Sequence, residues 1–178
     1  YEILIGLVGS EMCIRDSVRS EGRILLCEGY KDVLAFHASG IRYAVGLCGT
    51  ALTEEHIRAI RRLAGQVTLS LDPDPAGRQN TVRCAHMLLS EGCAVSLLPL
   101  PDGMDPDEVY RRKGSDELAR LAREGTLDYL SYRIRQAASR PHTDTAAINE
   151  TLGEIGLLSS PLAVYRRIGE LSLSLIHI

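Results

Sequence analysis

From Arg23 the chain repeats one phrase: an apolar run, a polar turn, then a mixed stretch of about ten residues whose apolar positions recur at helical spacing. RILLC (23–27) is followed by KDVLAFHASG, RYAVGL by TEEHIRAIRRLAG, and QVTLSL by a stretch from about Ala76 to Glu91; the fourth run is AVSLLPL. Strands alternating with helices imply β-α-β units, and near-continuous apolar runs belong to strands buried on both faces. The pattern predicts an α/β fold with a parallel four-stranded sheet flanked by helices. Punctuation supports the boundaries: Thr53 can cap the second helix, Glu54 and Glu55 then fall in its positive first turn, and Gly40, Gly65 and Gly92 close the three helices.

After Pro101 the strand signal stops. The segments DPDEVYRRKG, SDELARLAREG, TLDYLSYRIRQAAS, TDTAAINETLGEIGLL and PLAVYRRIGELS all read as helices, with SRPHTDT (139–145) as the one plausible linker. A helical appendage is expected to follow the sheet.

Composition changes this picture little. At 178 residues, 45% hydrophobic and 24% charged, the chain has the make-up of an ordinary globular α/β domain. A net charge of −3 argues against gripping nucleic acid by bulk positive field. Arginines cluster at Arg58, Arg61 and Arg62, at Arg111 to Lys113, and at Arg166 and Arg167, but such runs on helices are usually solvated faces. The five cysteines form no C-x-x-C pair, so neither a zinc site nor a disulfide framework is expected. No apolar stretch suits a signal peptide or a membrane helix.

The candidate chemistry lies at the strand ends. In parallel α/β sheets ligands bind beyond the carboxyl ends of the strands. Glu28 follows RILLC directly, Asp72 and Asp74 follow VTLSL, and Asp105 and Asp107 follow VSLLPLPDGM. One such carboxylate often only caps the next helix; three strand ends together point to a hard divalent cation, which takes a few carboxylates and keeps other positions for water and phosphate. In LDPDPAGR, Pro73 and Pro75 stiffen the loop that carries the aspartates, and Gly77 permits close backbone approach at a helix start suited to anions. Arg78 stands within reach of a phosphate, or of a surface salt bridge. Asp32 falls in the first turn of the helix that Gly29 opens, either as a helix-dipole carboxylate or as a metal ligand. Glu28 and Asp72 are expected to face one crevice across neighbouring strands, where Glu28 could bridge metals or act as general acid or base.

Four segments, CEGYKDV (27–33), YAVGLCGTALTEEHI (43–57), LDPDPAGR (71–78) and LPLPDGMDPDEVYRRKG (98–114), together resemble the TOPRIM domain, and more narrowly that of bacterial DnaG-type primases. The resemblance covers roughly Arg23 to Gly114. It implies that Glu28 is the catalytic carboxylate, that Glu28, Asp72 and Asp74 hold Mg²⁺ or Mn²⁺, in all two ions, and that Asp32, Asp105 and Asp107 complete the acidic cluster. The implied reaction is templated joining of ribonucleoside triphosphates into short RNA primers on single-stranded DNA in the bacterial cytoplasm, at the nucleoid-associated replication fork, with a replicative helicase met through a missing C-terminal region and no membrane involved. Two departures stand out: Pro73 sits where the family more often has glycine between the aspartates, and Lys31 where an apolar or small residue is usual. Neither removes a carboxylate.

LVGSEMCIRDS (7–17) and the final SLIHI resemble translated sequencing-adapter read-through, so residues 1–17 and 174–178 are expected to be non-native tails. On that reading 18–114 is the TOPRIM core, 115–173 a partial helical bundle, and the whole an enzyme fragment inactive alone, without the family's zinc module or basic subdomain. A genuine edge strand over residues 3–8 is the alternative for the first tail. Two other functional classes fit the same cluster: a TOPRIM nuclease or topoisomerase, and a non-catalytic TOPRIM assembly module, against which three mutually repelling carboxylates argue.

Overall fold

A computed structural model describes residues 11–49, 51–140 and 145–176. The strand alternative for residues 3–8, Thr50 of the G-T-A-L-T turn, the centre of the proposed linker and the last two residues lie outside that set. The chain runs α1 (Glu11–Glu21), β1 (Arg23–Cys27), α2 (Tyr30–Ala38), β2 (Ala44–Gly46), α3 (Glu54–Leu63), β3 (Gln66–Ser70), α4 (Pro75–Ser90) and β4 (Ala94–Leu97). A 3₁₀ turn at Pro101–Gly103 leads to α5 (Pro106–Lys113) and α6 (Ser115–Glu124), then β5 (Leu127–Asp128), α7 (Tyr129–Ala138), α8 (Thr145–Ile155) and α9 (Pro161–Ile176).

The strands line up in the order β2-β1-β3-β4-β5. Four are parallel, as the apolar runs predict, and β1 is buried along Ile24, Leu25, Leu26 and Cys27 because helices cover both faces of the sheet. The chain leaves β1 for β2 on one side and returns to β3 on the other. That reversal opens the crevice of a doubly wound sheet between the carboxyl ends of β1 and β3. Cys27 pairs with Ser70 there, so Glu28 and Asp72 begin from neighbouring rungs.

The fifth strand corrects the four-stranded expectation. Leu127 and Asp128 pair antiparallel with Leu97 and Ser96, inside a segment read from sequence as helix from Thr126. Two residues are too few for an alternating pattern to register. Asp128 instead caps α7 by accepting the Ser131 amide at 2.8 Å, which starts the helix at Tyr129.

Cap chemistry elsewhere follows the sequence. Thr53 accepts the His56 amide at 3.3 Å, and Gly40 and Gly92 take positive φ just beyond their helices. Phe36, Leu25, Leu26, Leu69, Leu88, Leu118 and Tyr129 are among the side chains fully enclosed in the core. Residues 11–17 form the first turns of α1, whose Ile14 and Val18 are buried in that core. Arg58, Arg61 and Arg62 are exposed, with Arg58 and Arg61 on Glu54 and Glu91. Among the described residues no helix is long and apolar enough to cross a membrane.

Candidate functional site

The β1–β3 crevice is stitched by one hydrogen bond: the Asp72 backbone amide donates to Glu28 Oε2 at 3.2 Å. This contact ties the Glu28 carboxylate at the end of β1 to the backbone at the end of β3. Glu28 and Asp72 are both half-buried.

The loop after β3 folds tightly. Asp74 is the N-cap of α4 and accepts the Gly77 amide at 2.6 Å, while Pro75 occupies the first helical position, where its missing N–H costs nothing. A Cβ at Gly77 would lie 2.2 Å from the Asp72 carbonyl oxygen. Only glycine allows the start of α4 to press against Asp72, the close approach expected from LDPDPAGR. The Arg78 guanidinium donates to the Pro73 carbonyl, so it braces the loop it follows.

Asp32 sits at the third position of α2 and accepts the Gly29 amide at 2.9 Å. It is only 6% exposed. Burial pushes its carboxyl up to about 6 against the opposing Gly29 hydrogen bond, with further repulsion from Asp105, Asp72 and Glu28. Asp72 is also pushed up, by burial and then by Glu28, Asp105 and Asp74. Asp105 caps α5, accepting the Glu108 amide at 2.6 Å while Glu108 reaches back in a capping box. Asp107 pairs with Arg111 one helical turn on. The structure thus brings Glu28, Asp32, Asp72 and Asp105 into one electrostatic neighbourhood, turns Asp74 to a helix start, and gives Asp107 a cation of its own.

Such a donor set fits a hard divalent ion. The oxygens are carboxylates, the charges acting on Asp72 are all negative, and a bound cation would reverse the repulsion that now raises Asp32 and Asp72. Among the described residues no three His, Cys, Asp or Glu side chains are gathered closely enough to enclose an ion by themselves. The cysteines play no visible part: Cys27, Cys84 and Cys93 are buried and their thiols are pushed up by burial.

Beside Asp72 the structure opens a cavity of about 270 Å³ that sequence reasoning missed. Leu97 and Leu100 belong to the fourth apolar run, but Leu127 and Tyr132 come from the segment read as plain helix and reach the site only because β5 pairs with β4. Two residues of strand left no signal that could have found them.

Comparison with known proteins agrees with this geometry. The Toprim-like family profile matches residues 25–110. The chain is 36% identical over 121 residues to the DNA primase of Halalkalibacterium halodurans, covering 68% of this chain and 20% of that protein. It is 30% identical over 162 residues to the DNA primase of Staphylococcus aureus, covering 89% and 27%. The chain therefore spans about a fifth to a quarter of the curated relatives it matches. Among solved structures, the zinc-binding and RNA polymerase domains of Aquifex aeolicus primase superpose with a TM-score of 0.74 at 29% identity over 89% of this chain and 38% of that one. A DnaG primase catalytic domain bound to single-stranded DNA gives 0.72 at 26% identity over 89% and 53%. Profile, sequence and fold converge on one family, to which a divalent-metal site is general, and the chain carries a TOPRIM domain of the bacterial DNA primase type.

Proposed function

We propose that this chain is the catalytic-core portion of a primase that joins ribonucleoside triphosphates on a single-stranded DNA template into short RNA primers for replication. The observation that carries the reading is the Glu28–Asp72 contact across the strand-order reversal, with Asp32 and Asp105 adding negative charge beside it. Glu28, Asp72 and Asp74 are the proposed ligands of two Mg²⁺ or Mn²⁺ ions, with Glu28 the catalytic carboxylate and Asp32, Asp105 and Asp107 the surrounding acidic set. The chemistry such ions supply when bound is neutralisation of triphosphate charge and activation of a hydroxyl nucleophile.

The chain's own residues prepare that chemistry. Glu28 is held by the Asp72 amide and so is pre-oriented before substrate arrives. Pro73 and Pro75 limit the loop's freedom, so little entropy is lost when Asp72 engages a ligand. To reach a phosphate, Arg78 must release the Pro73 carbonyl that it now holds. For Asp74 to join the ions it must release the Gly77 amide. The template strand, the replicative helicase contact and the cytoplasmic setting at the replication fork belong to the whole primase on this proposal.

Mg²⁺ or Mn²⁺ should raise the melting temperature of the unaltered chain, and Asp72→Ala should abolish the rise. Absence of any shift with either ion would remove the metal site. For the reaction, residues 18–173 are grafted into a full primase and primer yield is measured on single-stranded template. Glu28→Gln in that chimera should reduce yield by at least about 100-fold, and a normal yield would sink the catalytic assignment.

A further inference from the structure

The cysteines hold no place in the acidic donor set, but two of them meet at its edge. Cys27 closes β1 one residue before Glu28 and is 0% exposed, whereas Cys48 lies in the turn after β2 and is exposed. The sheet joins what the sequence separates. Cys27 is the lateral partner of Gly46, and paired positions of a parallel sheet project to one face. That face is the one α2 covers, because a Cβ at Gly46 would lie 3.0 Å from Val33 Cγ2. The same Cβ would lie 3.1 Å from Cys48 Sγ. Glycine at position 46 therefore leaves room beside Cys27 for the Cys48 thiol. With neighbouring strands about 4.8 Å apart, the Cys48 sulfur stands within roughly 8 Å of the Cys27 Cβ.

The backbone ties the same two segments together. The Leu47 amide donates to the Cys27 carbonyl and the Cys48 amide to the Glu28 carbonyl, both at 2.9 Å. Cys48 holds a φ of 50°, a left-handed conformation uncommon for a residue with a side chain, where its sulfur comes back over Gly46. Burial pushes the Cys27 thiol up, and after it the charges of Asp32 and Cys48 do the same.

We infer that Cys27 and Cys48 are a modification site, a thiol pair that a hydroperoxide closes into a reversible disulfide, and that this bond disables the site Glu28 anchors. The effect on the site rests on the function proposed above, whereas the bond between the sulfurs does not. Cys48, the exposed partner, reacts first: its sulfur attacks one peroxide oxygen, the O–O bond breaks, and sulfenic acid and water result. The Cys27 sulfur then attacks the Cys48 sulfur, the S–O bond breaks, and the hydroxide leaves as water with the Cys27 proton. Two thiols are oxidised by two electrons in all and one hydrogen peroxide is reduced to two waters. A disulfide sets its Cβ atoms about 3.5–4.5 Å apart, closer than neighbouring strands stand, so closing it draws the turn onto the end of β1. Glu28 follows one cysteine directly and accepts the amide of the other, so the movement reaches the carboxylate that the Asp72 amide holds.

Cys13→Ser removes the other exposed thiol, and the chain in that background is treated with hydrogen peroxide, alkylated and digested with trypsin. The peptides 24–31 and 43–58 should appear joined, two hydrogens lighter than their sum, and should separate on treatment with dithiothreitol. The rise in melting temperature with Mn²⁺ should be lost in the oxidised chain and return on reduction. Cys48→Ser should form no cross-link and keep its Mn²⁺ response through peroxide. Cys27→Ser should leave the Cys48 sulfenic acid unresolved, to be captured by dimedone; if that buried change unfolds the chain, the exposed Cys48→Ser decides in its place. If peroxide takes Cys48 to sulfinic acid with Cys27 untouched, or joins two chains through Cys48, the pair is overturned. If the cross-link forms and the Mn²⁺ response persists, the effect on the site is overturned and the modification stands. A reduced chain that ignores Mn²⁺ overturns the proposed function and the disabling effect together, while the peptide map still decides the disulfide.

Discussion

The molecule buries carboxylates in two places, and it treats them in opposite ways. In the helical appendage Glu154 is 1% exposed, yet its Oε1 accepts from Tyr129 at 2.9 Å and meets His86 Nε2 at 3.0 Å, while Oε2 accepts from Arg133 Nε at 2.9 Å. Arg133 is answered in turn by Glu150 and Gln136. Burial works against the Arg133 charge, but Glu154 outweighs it and holds the guanidinium up; the Tyr129 hydroxyl is pushed up by its own burial and by the Glu154 charge. At the strand ends of the TOPRIM core, by contrast, Asp32 and Asp72 both feel burial and the negative charges of Glu28 and Asp105. A buried carboxylate supplied with its donors is architecture, here pinning α8 to α4 and α7. Carboxylates that repel one another, with only backbone amides donating to Glu28 and Asp32, are kept against their electrostatic interest, which is the mark of a site that meets its cation from outside.

The contrast can be broken from either end, and the largest effect should come from the satisfied node. Glu154→Ala strands a buried Arg133 and the Tyr129 hydroxyl, and should destabilise the fold by about 3–5 kcal/mol, a fall on the order of 10 °C in melting temperature. A loss under about 1 kcal/mol would mean the node is solvated and the contrast false. Gly77→Ala comes next. Its Cβ collides with the Asp72 carbonyl, so the loop must move at a cost of about 1–3 kcal/mol, and the stabilisation by Mn²⁺ should vanish although no carboxylate is touched. An intact Mn²⁺ response would separate the ion from the loop geometry.

The smallest effect is a pH slope at Asp32. Its carboxyl holds a proton more tightly in the folded chain, at about 6, than at its ordinary 3.8. The stability this contributes is complete below 3.8 and is lost as pH rises through about 6. Without divalent ions, the unaltered chain should therefore gain about 1 kcal/mol relative to Asp32→Asn between pH 7 and pH 5. A difference independent of pH would remove Asp32 from the repulsive cluster.

Much of the acidic region was legible in the sequence because it obeys local rules. Apolar runs announce buried parallel strands, and residues just past such runs must lie at one end of the sheet, so Glu28 and Asp72 could be paired before any coordinates existed. The close approach at Gly77 was legible too, since nothing else explains glycine at the start of a helix flanked by proline. The separate roles of the aspartates were not. Whether Asp74 serves a helix amide or an ion, and whether Asp107 turns to Arg111, depends on side-chain torsions that spacing does not encode. The Glu154 node was wholly hidden, because His86 and Glu154 stand 68 positions apart and neither breaks the helical pattern around it. The cavity was hidden for the same reason: it depends on β5, a pairing between residues 96–97 and 127–128 that exists only once the chain has returned to the sheet.

That last pairing bears on how the protein emerges from the ribosome. The family profile ends at residue 110, yet the strand that covers the β4 edge arrives at Leu127 and the carboxylate that pins α4 at Glu154. At about 5–20 residues per second, the newly made sheet waits for seconds with the outer side of β4 unpaired, an open edge of the kind that recruits strands from neighbouring chains. A gene truncated at the apparent end of the TOPRIM core would make that interval permanent, and such a truncation should collect in inclusion bodies where the longer chain stays in solution.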